Sequence, residues 1–249
     1  MRQLGWGGAA RPRVRDFSFW EAGDTALAAP AKRLVDFAIC LSLLVVLAPL
    51  MVVLALEIKL DSSGPVFYRC RRVGRGGREF AMLKFRKMHH GAVGSALTCS
   101  ADERFTRFGS FLARTKLDEF PQLWNVIRGD MSLVGPRPED PSFVALHPLH
   151  FAEILRARPG ITGLSQLAFA RESRLLDVPD PLKRYVECLL PQKIGLDRLY
   201  VANRSAVMDL RILFWTFATV LSGVDVSVSR ESGRLSIRRR AHAKAVPGA

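Results

Sequence analysis

Cysteine is scarce in this chain of 249 residues: Cys40, Cys70, Cys99 and Cys188 are scattered and no two form a C-x-x-C pair. That pattern supports neither a disulfide framework nor a zinc site. Histidine is scarce too, and both of its pairs, His89 with His90 and His147 with His150, read as surface or interfacial residues rather than ligands. No internal repeat is present. Aromatic residues are not interleaved with Lys and Arg as base-stacking platforms, and no recognition motif occurs, which argues against nucleic-acid binding. No small-x-small site follows the one long apolar run, so a cleaved signal peptide is not expected.

Acid is also in short supply. Thirty-seven Lys and Arg stand against 23 Asp and Glu, a formal charge of +14. Such a surplus suits anionic lipid headgroups or phosphorylated substrates and does not by itself choose between them.

What the chain does have is an uncharged stretch between Asp36 and Glu57. As a helix it reaches roughly 30 Å, the thickness of a hydrocarbon core. Pro49 lies well inside it, where a missing N–H and a ring clash bend or break a helix. A break there gives two pieces each too short to span, and so a re-entrant hairpin that enters and leaves by one face. Arg11, Arg13, Arg15, Lys32 and Arg33 precede the segment and Lys59, Arg69, Arg71, Arg72 and Arg75 follow it, so both flanks favour the cytoplasmic side. A straight spanning anchor is the alternative, because proline is tolerated in such helices.

The expected organisation is a flexible basic leader over 1–30, a membrane helix over 31–58, one cytoplasmic α-rich α/β domain over 59–229, and a disordered basic tail over 230–249. Val66 to Arg69 and Glu79 to Phe85, separated by Gly74, Gly76 and Gly77, read as a hairpin. Helices are expected over Phe120–Ile127, Pro148–Arg158, Pro181–Leu189 and Ser205–Leu221. The last suits an amphipathic helix at a membrane interface and suits a buried core helix equally.

Chemistry concentrates in FLARTKLDEFPQLWNVIRGDMSLVGPRPED, residues 111–140. Asp118 and Glu119 precede Pro121, so a helix beginning near Leu117 would use them as cap and first-turn acid. Their neighbours suggest more. Lys84 and Arg86 in KFRKM, Arg114 and Lys116, and Arg137 in a rigid Pro-Arg-Pro supply cations for phosphate oxygens. Carboxylates able to hold Mg²⁺ beside such cations are the parts of phosphoryl transfer, and a carboxylate can also attack phosphorus.

The order KRLVD, an apolar segment with a central proline, IKLDSSGPVFYRCRRVG, KFRKM, LDEFPQLWNVIRGDMSLVGPRP, RPGITGLSQ and D-x-x-Y-x-x-N-x-S-x-x-x-DL-x-IL resembles the bacterial sugar transferase family, over about residues 31–221. These are monotopic polyprenyl-phosphate phosphoglycosyl transferases. The resemblance implies a helix-break-helix at Pro49 and a ping-pong transfer of sugar phosphate from a nucleotide diphosphate sugar, usually a UDP-sugar, to a polyprenyl phosphate such as undecaprenyl phosphate, releasing UMP. It implies Asp118 as nucleophile, Glu119 as Mg²⁺ ligand, and Lys84, Arg86, Arg114, Arg137, Arg158 and Arg171 as candidate phosphate contacts. It further implies an initiating role in exopolysaccharide or other surface glycan synthesis at the bacterial inner membrane, on its cytoplasmic face. The partners implied are donor, acceptor and anionic lipids, with a homo-oligomer open and the sugar unspecified.

Three positions depart from the family pattern. Ala48 stands where a serine commonly precedes the proline, Ala113 where an arginine often precedes the nucleophile by five residues, and Leu164 where a tryptophan follows RPGITG, with Arg171 near the usual arginine position but not at it. These departures raise the alternative of a catalytically impaired scaffold for glycan assembly, against which intact Asp118, Glu119 and Arg137 stand.

Overall fold

The computed structural model describes residues 28–95, 97–100 and 102–237. The leader therefore lies almost wholly outside the described residues, as does the tail beyond 237.

The apolar segment forms a single helix, α1 (Ala28–Asp61), with Pro49 inside it. Its most apolar window has a mean hydropathy of 3.0 and is long enough to cross a membrane by length and composition. Cys40, Leu44, Leu47, Met51, Leu54 and Ile58 recur at steps of three and four and pack on the domain, a helical stripe running along most of α1. Pro49 lies off that stripe and is exposed. The expected division of the segment at Pro49 is thus not a break in secondary structure. The bond that proline forgoes, to the carbonyl of Val45, involves residues on the face away from the domain, while the stripe holds both halves in place.

The expected hairpin is present as β1 (Phe67–Val73) and β2 (Glu79–Phe85), antiparallel from Phe67↔Phe85 to Val73↔Glu79. Gly76 (φ 70°) and Gly77 (φ 78°) take left-handed conformations in its turn. The chain continues through α2 (Arg107–Thr115), a 3-10 turn (Leu117–Glu119), α3 (Gln122–Arg128) and β3 (Ser132–Val134). Next come α4 (Pro141–Leu146), α5 (Pro148–Ile154), β4 (Gly160–Thr162), α6 (Leu164–Ala168) and α7 (Glu172–Leu175). β3 and β4 pair in parallel, Ser132↔Gly160 and Val134↔Thr162.

The helix expected over Pro181–Leu189 is only the start of a longer element. α8 (Pro181–Arg184) passes through a π-helical turn (Tyr185–Leu189) into α9 (Leu190–Asn203), and α10 (Ala206–Ser222) follows. β5 (Val226–Val228) and β6 (Leu235–Ile237) close the described chain as an antiparallel pair. The expected disordered tail therefore begins too early, since β6 falls inside it.

One core cluster joins α1, α3, β3, α6, α9 and α10 through Cys40, Val126, Leu133, Leu164, Tyr200 and Ile212. A second gathers Phe143, Phe151, Ile154, Tyr185 and Leu190, and a third, Leu54, Ile58, Phe85 and Leu112, lies under the C-terminal half of α1. α10 meets both readings of its sequence: Ile212 is fully buried, while Leu210, Phe214 and Phe217 are each 67% exposed.

Candidate active site

α2 ends at Lys116, whose φ of 63° makes it the one non-glycine residue in the left-handed region among the described residues. That conformation is costly for a residue with a Cβ and is kept only where surrounding structure demands it. It turns the chain directly into Leu117–Glu119, which presents two adjacent carboxylates.

Asp118 does not cap a helix, contrary to the local expectation. α3 starts later, with Pro121 at its N-cap position, and both carboxylate oxygens of Asp118 are buried without a hydrogen bond. Its partner is Lys87, whose Nζ lies 3.1 Å from Oδ2, close enough for an ion pair though not aligned as a hydrogen bond. Burial pushes the Lys87 pKa down, against the pull of Asp118. A carboxyl group that is buried yet unsatisfied is poised to receive something else.

Glu119 faces Lys84, on β2, at 2.8 Å. Burial alone would raise the Glu119 pKa, but the charges of Lys84, Arg137 and Lys116 outweigh it and hold the group down at about 2. Burial likewise opposes the Lys84 charge, and Glu119 and Asp118 overcome it, so the Lys84 pKa is raised.

Arg137 enters from the loop after β3. The glycines around it let two backbones meet: a Cβ on Gly160 would lie 2.1 Å from Gly135 N, and one on Gly163 would lie 2.2 Å from Gly135 O. Burial works against the Arg137 charge, yet Glu172, Glu139 and Glu119 keep its pKa raised. Among the described residues its guanidinium makes no ion pair, and it lines a narrow cleft together with Lys84, Glu119, Arg72, Gln122 and Gln166. The cleft thus holds cations and a carboxylate side by side.

The structure brings together Asp118, Glu119, Lys84 and Arg137, and places the other four expected arginines elsewhere. Arg86 is buried and donates to the carbonyls of Ile58, Ser62 and Ser63, closing the C-terminal end of α1 rather than facing the cleft. Strand alternation suggests Lys84 and Arg86 share a face, but β2 ends at Phe85 and the chain turns. Arg114 is exposed in the last turn of α2. Arg158 donates to Gly129 O at 3.2 Å, and burial lowers its pKa, helped by Arg75 and Arg33. Arg171 pairs with Asp225 at 2.8 Å and donates to Gly223 O, tying the segment before α7 to that before β5. Leu164 is a core residue, 0% exposed.

Sequence reasoning missed Lys87 and Arg72. The signal for Lys87 was its place three residues after Lys84 in KFRKM; Arg72 shares the hairpin face of Lys84, since Tyr68↔Lys84 and Arg72↔Phe80 are opposite pairs.

The donor set fits Mg²⁺. Among the described residues no three His, Cys, Asp or Glu gather into a protein-only cage. Mg²⁺ prefers one or two carboxylates with substrate phosphates completing its shell, and an unsatisfied Asp118 next to Glu119, beside cations suited to phosphate, meets that need.

The family model described as bacterial sugar transferase matches residues 27–223. A UDP-glucose:undecaprenyl-phosphate glucose-1-phosphate transferase of Xanthomonas campestris pv. campestris is 39% identical over 203 residues, 77% of this chain and 39% of that protein. A protein of the same description from Caulobacter vibrioides is 40% identical over 197 residues, 77% of this chain and 70% of that protein. An exopolysaccharide production protein of Rhizobium leguminosarum bv. phaseoli is 38% identical over 200 residues, 77% of this chain and 95% of its own length. The chain spans well under half of the Xanthomonas protein and nearly all of the Rhizobium one.

Proposed function

The chain belongs to the bacterial sugar transferase family, and on that premise we propose that it moves a sugar 1-phosphate from a UDP-sugar to undecaprenyl phosphate, releasing UMP. The observation that carries this reading is the buried carboxylate of Asp118, free of hydrogen bonds and set beside the cationic cleft.

The reaction runs in two displacements. An Asp118 carboxylate oxygen attacks the phosphorus that bears the sugar; the bond from that phosphorus to the bridging oxygen breaks, and UMP leaves with the electron pair. A phosphate oxygen of the lipid then attacks the same phosphorus and Asp118 leaves as carboxylate, restoring the enzyme. Two transfers to a small fixed group replace one encounter between two bulky anions. Lys87 stabilises the ionised Asp118 before attack, and Lys84 and Arg137 hold the donor's phosphates in line. Glu119 and Asp118 would hold Mg²⁺, which when bound supplies charge neutralisation at the diphosphate.

Monotopic placement on the cytoplasmic face of the inner membrane belongs to the same proposal. Near one end of α1, Arg33 donates to Val126 O and Ile127 O, and Asp36 accepts from Ser132 Oγ at 2.6 Å. Near the other, Arg86 grips the carbonyls of Ile58 and Ser62. Both ends hold one domain, which supports a helix kept on one side of the membrane rather than one that spans it. The exposed apolar residues of α1 and α10 then sit in lipid, bringing the lipid phosphate to the carboxylate.

The test is Mg²⁺-dependent UMP release by membrane-reconstituted protein, with undecaprenyl phosphate and a panel of UDP-glucose, UDP-galactose and UDP-N-acetylgalactosamine. Release that Asp118→Asn abolishes supports the reading and identifies the sugar. Release that Asp118→Asn leaves intact contradicts it.

A further inference from the structure

Lys193 and Asp197 are one turn apart on α9, on one face, and are among the most deeply buried charged residues described, at 1% and 2% exposure. Burying charge is expensive, and two such groups side by side call for a reason. Both reach the segment around Arg137. Asp197 Oδ2 accepts from the Arg137 backbone N–H at 3.3 Å, and its Oδ1 accepts from Ser165 Oγ at 2.7 Å, which links the loop after β3 to α6. Lys193 Nζ lies 3.5 Å from Glu139 and 2.7 Å from Glu172, and donates to Tyr185 Oη at 3.0 Å. Tyr185 in turn donates to Glu139 Oε2 at 2.9 Å. The π-helical turn carries Tyr185, an irregularity of the sort that re-aims side chains at functional sites.

Arg137 is therefore gripped on both sides: at its own N–H by Asp197, and two residues later at Glu139 by Lys193 and Tyr185. Its side chain alone is left to face the cleft. We propose that Lys193 and Asp197 are positioning residues that fix the Arg137 guanidinium at the angle and depth the donor diphosphate requires. This rests on the transferase reading above, in that Arg137 is the phosphate contact through which they act. Neither residue touches the reacting atoms. Their contribution is pre-organisation, whose loss by about 1 Å costs on the order of 10²-fold in rate.

The experiment is a double-mutant cycle between Asp197→Ala and Arg137→Ala in the full chain, reconstituted in membranes and read both as kcat and KM for UMP release and as affinity for inorganic pyrophosphate. Asp197→Ala is expected to lower kcat/KM on the order of 10²-fold, and to change it less than about threefold once Arg137 is already alanine. Asp197→Asn, which keeps an acceptor for the Arg137 N–H, is expected to recover most of the rate. Should Asp197→Ala fail to fold, Asp197→Glu completes the same cycle, because it keeps the acceptor and moves it by one methylene. Equal losses in both Arg137 backgrounds would overturn the positioning role. The pyrophosphate arm tests the same coupling without chemistry: non-additive losses of affinity support positioning and additive ones refute it. Absence of wild-type UMP release would instead count against the transferase reading alone.

Discussion

Lys87 Nζ, on the segment that leads from β2 to α2, stands 3.1 Å from Asp118 Oδ2. With its pKa pushed down by burial, the ammonium depends on the carboxylate it faces. Lys87→Met is expected to lower UMP release on the order of 10²-fold, the scale of removing one preorganised electrostatic partner. Lys87→Arg should recover part of the loss. An unchanged rate in Lys87→Met would remove Lys87 from the mechanism.

Glu119 carries the opposite linkage from most buried acids. Its pKa is depressed from 4.5 to about 2, so its contribution to stability is present above about pH 4.5 and lost as pH falls toward 2. The Tm advantage of wild type over Glu119→Gln should therefore shrink across that window. An advantage that stays constant with acidification would contradict the Lys84–Glu119 ion pair as its source.

Asp197 runs the other way. Burial raises its pKa from 3.8 to about 7, although Ser165 pulls it down, so the folded state holds the proton more tightly than the unfolded chain. Its contribution is fully present below about pH 3.8 and lost as pH rises through about 7. Tm of Asp197→Asn relative to wild type should rise across that interval. A difference independent of pH would show that the group titrates normally.

Gly160→Ala should be severe. The new Cβ would lie 2.1 Å from Gly135 N, backbone that cannot step aside without separating β3 from β4. A cost of about 3 kcal/mol or more is expected, a fall in Tm of roughly 6–12 °C for a chain of this size. Calorimetry of the purified variant measures it; a shift within a degree would mean that the two backbones have room to separate.

The sequence made the hairpin legible because its glycines bracket two β-rich runs, and it made the carboxylate pair legible because Asp118 and Glu119 stand among cations. It left β3 and β4 unread, since three-residue strands carry no period and their pairing is set by glycines 25 residues apart in the chain, Gly135 and Gly160. α9 was hidden behind Pro191, which suits the first turn of a helix but in sequence resembles a stop. Lys193 and Asp197 look like an ordinary solvated helix face until packing buries them. Asn125 was equally silent: it accepts from Leu83 N and donates to Ala81 O, fixing α3 against the edge of β2.

The central claim is that Asp118 carries the sugar phosphate between donor and acceptor. Intact-mass measurement of the protein with Mg²⁺ and its UDP-sugar, with no lipid acceptor present, addresses it directly. The account predicts a gain equal to one sugar phosphate, mapped by peptide sequencing to Asp118, absent in Asp118→Asn and discharged on addition of undecaprenyl phosphate. UMP release that requires the acceptor, with no adduct on Asp118 at any time, would mean direct transfer and would contradict it.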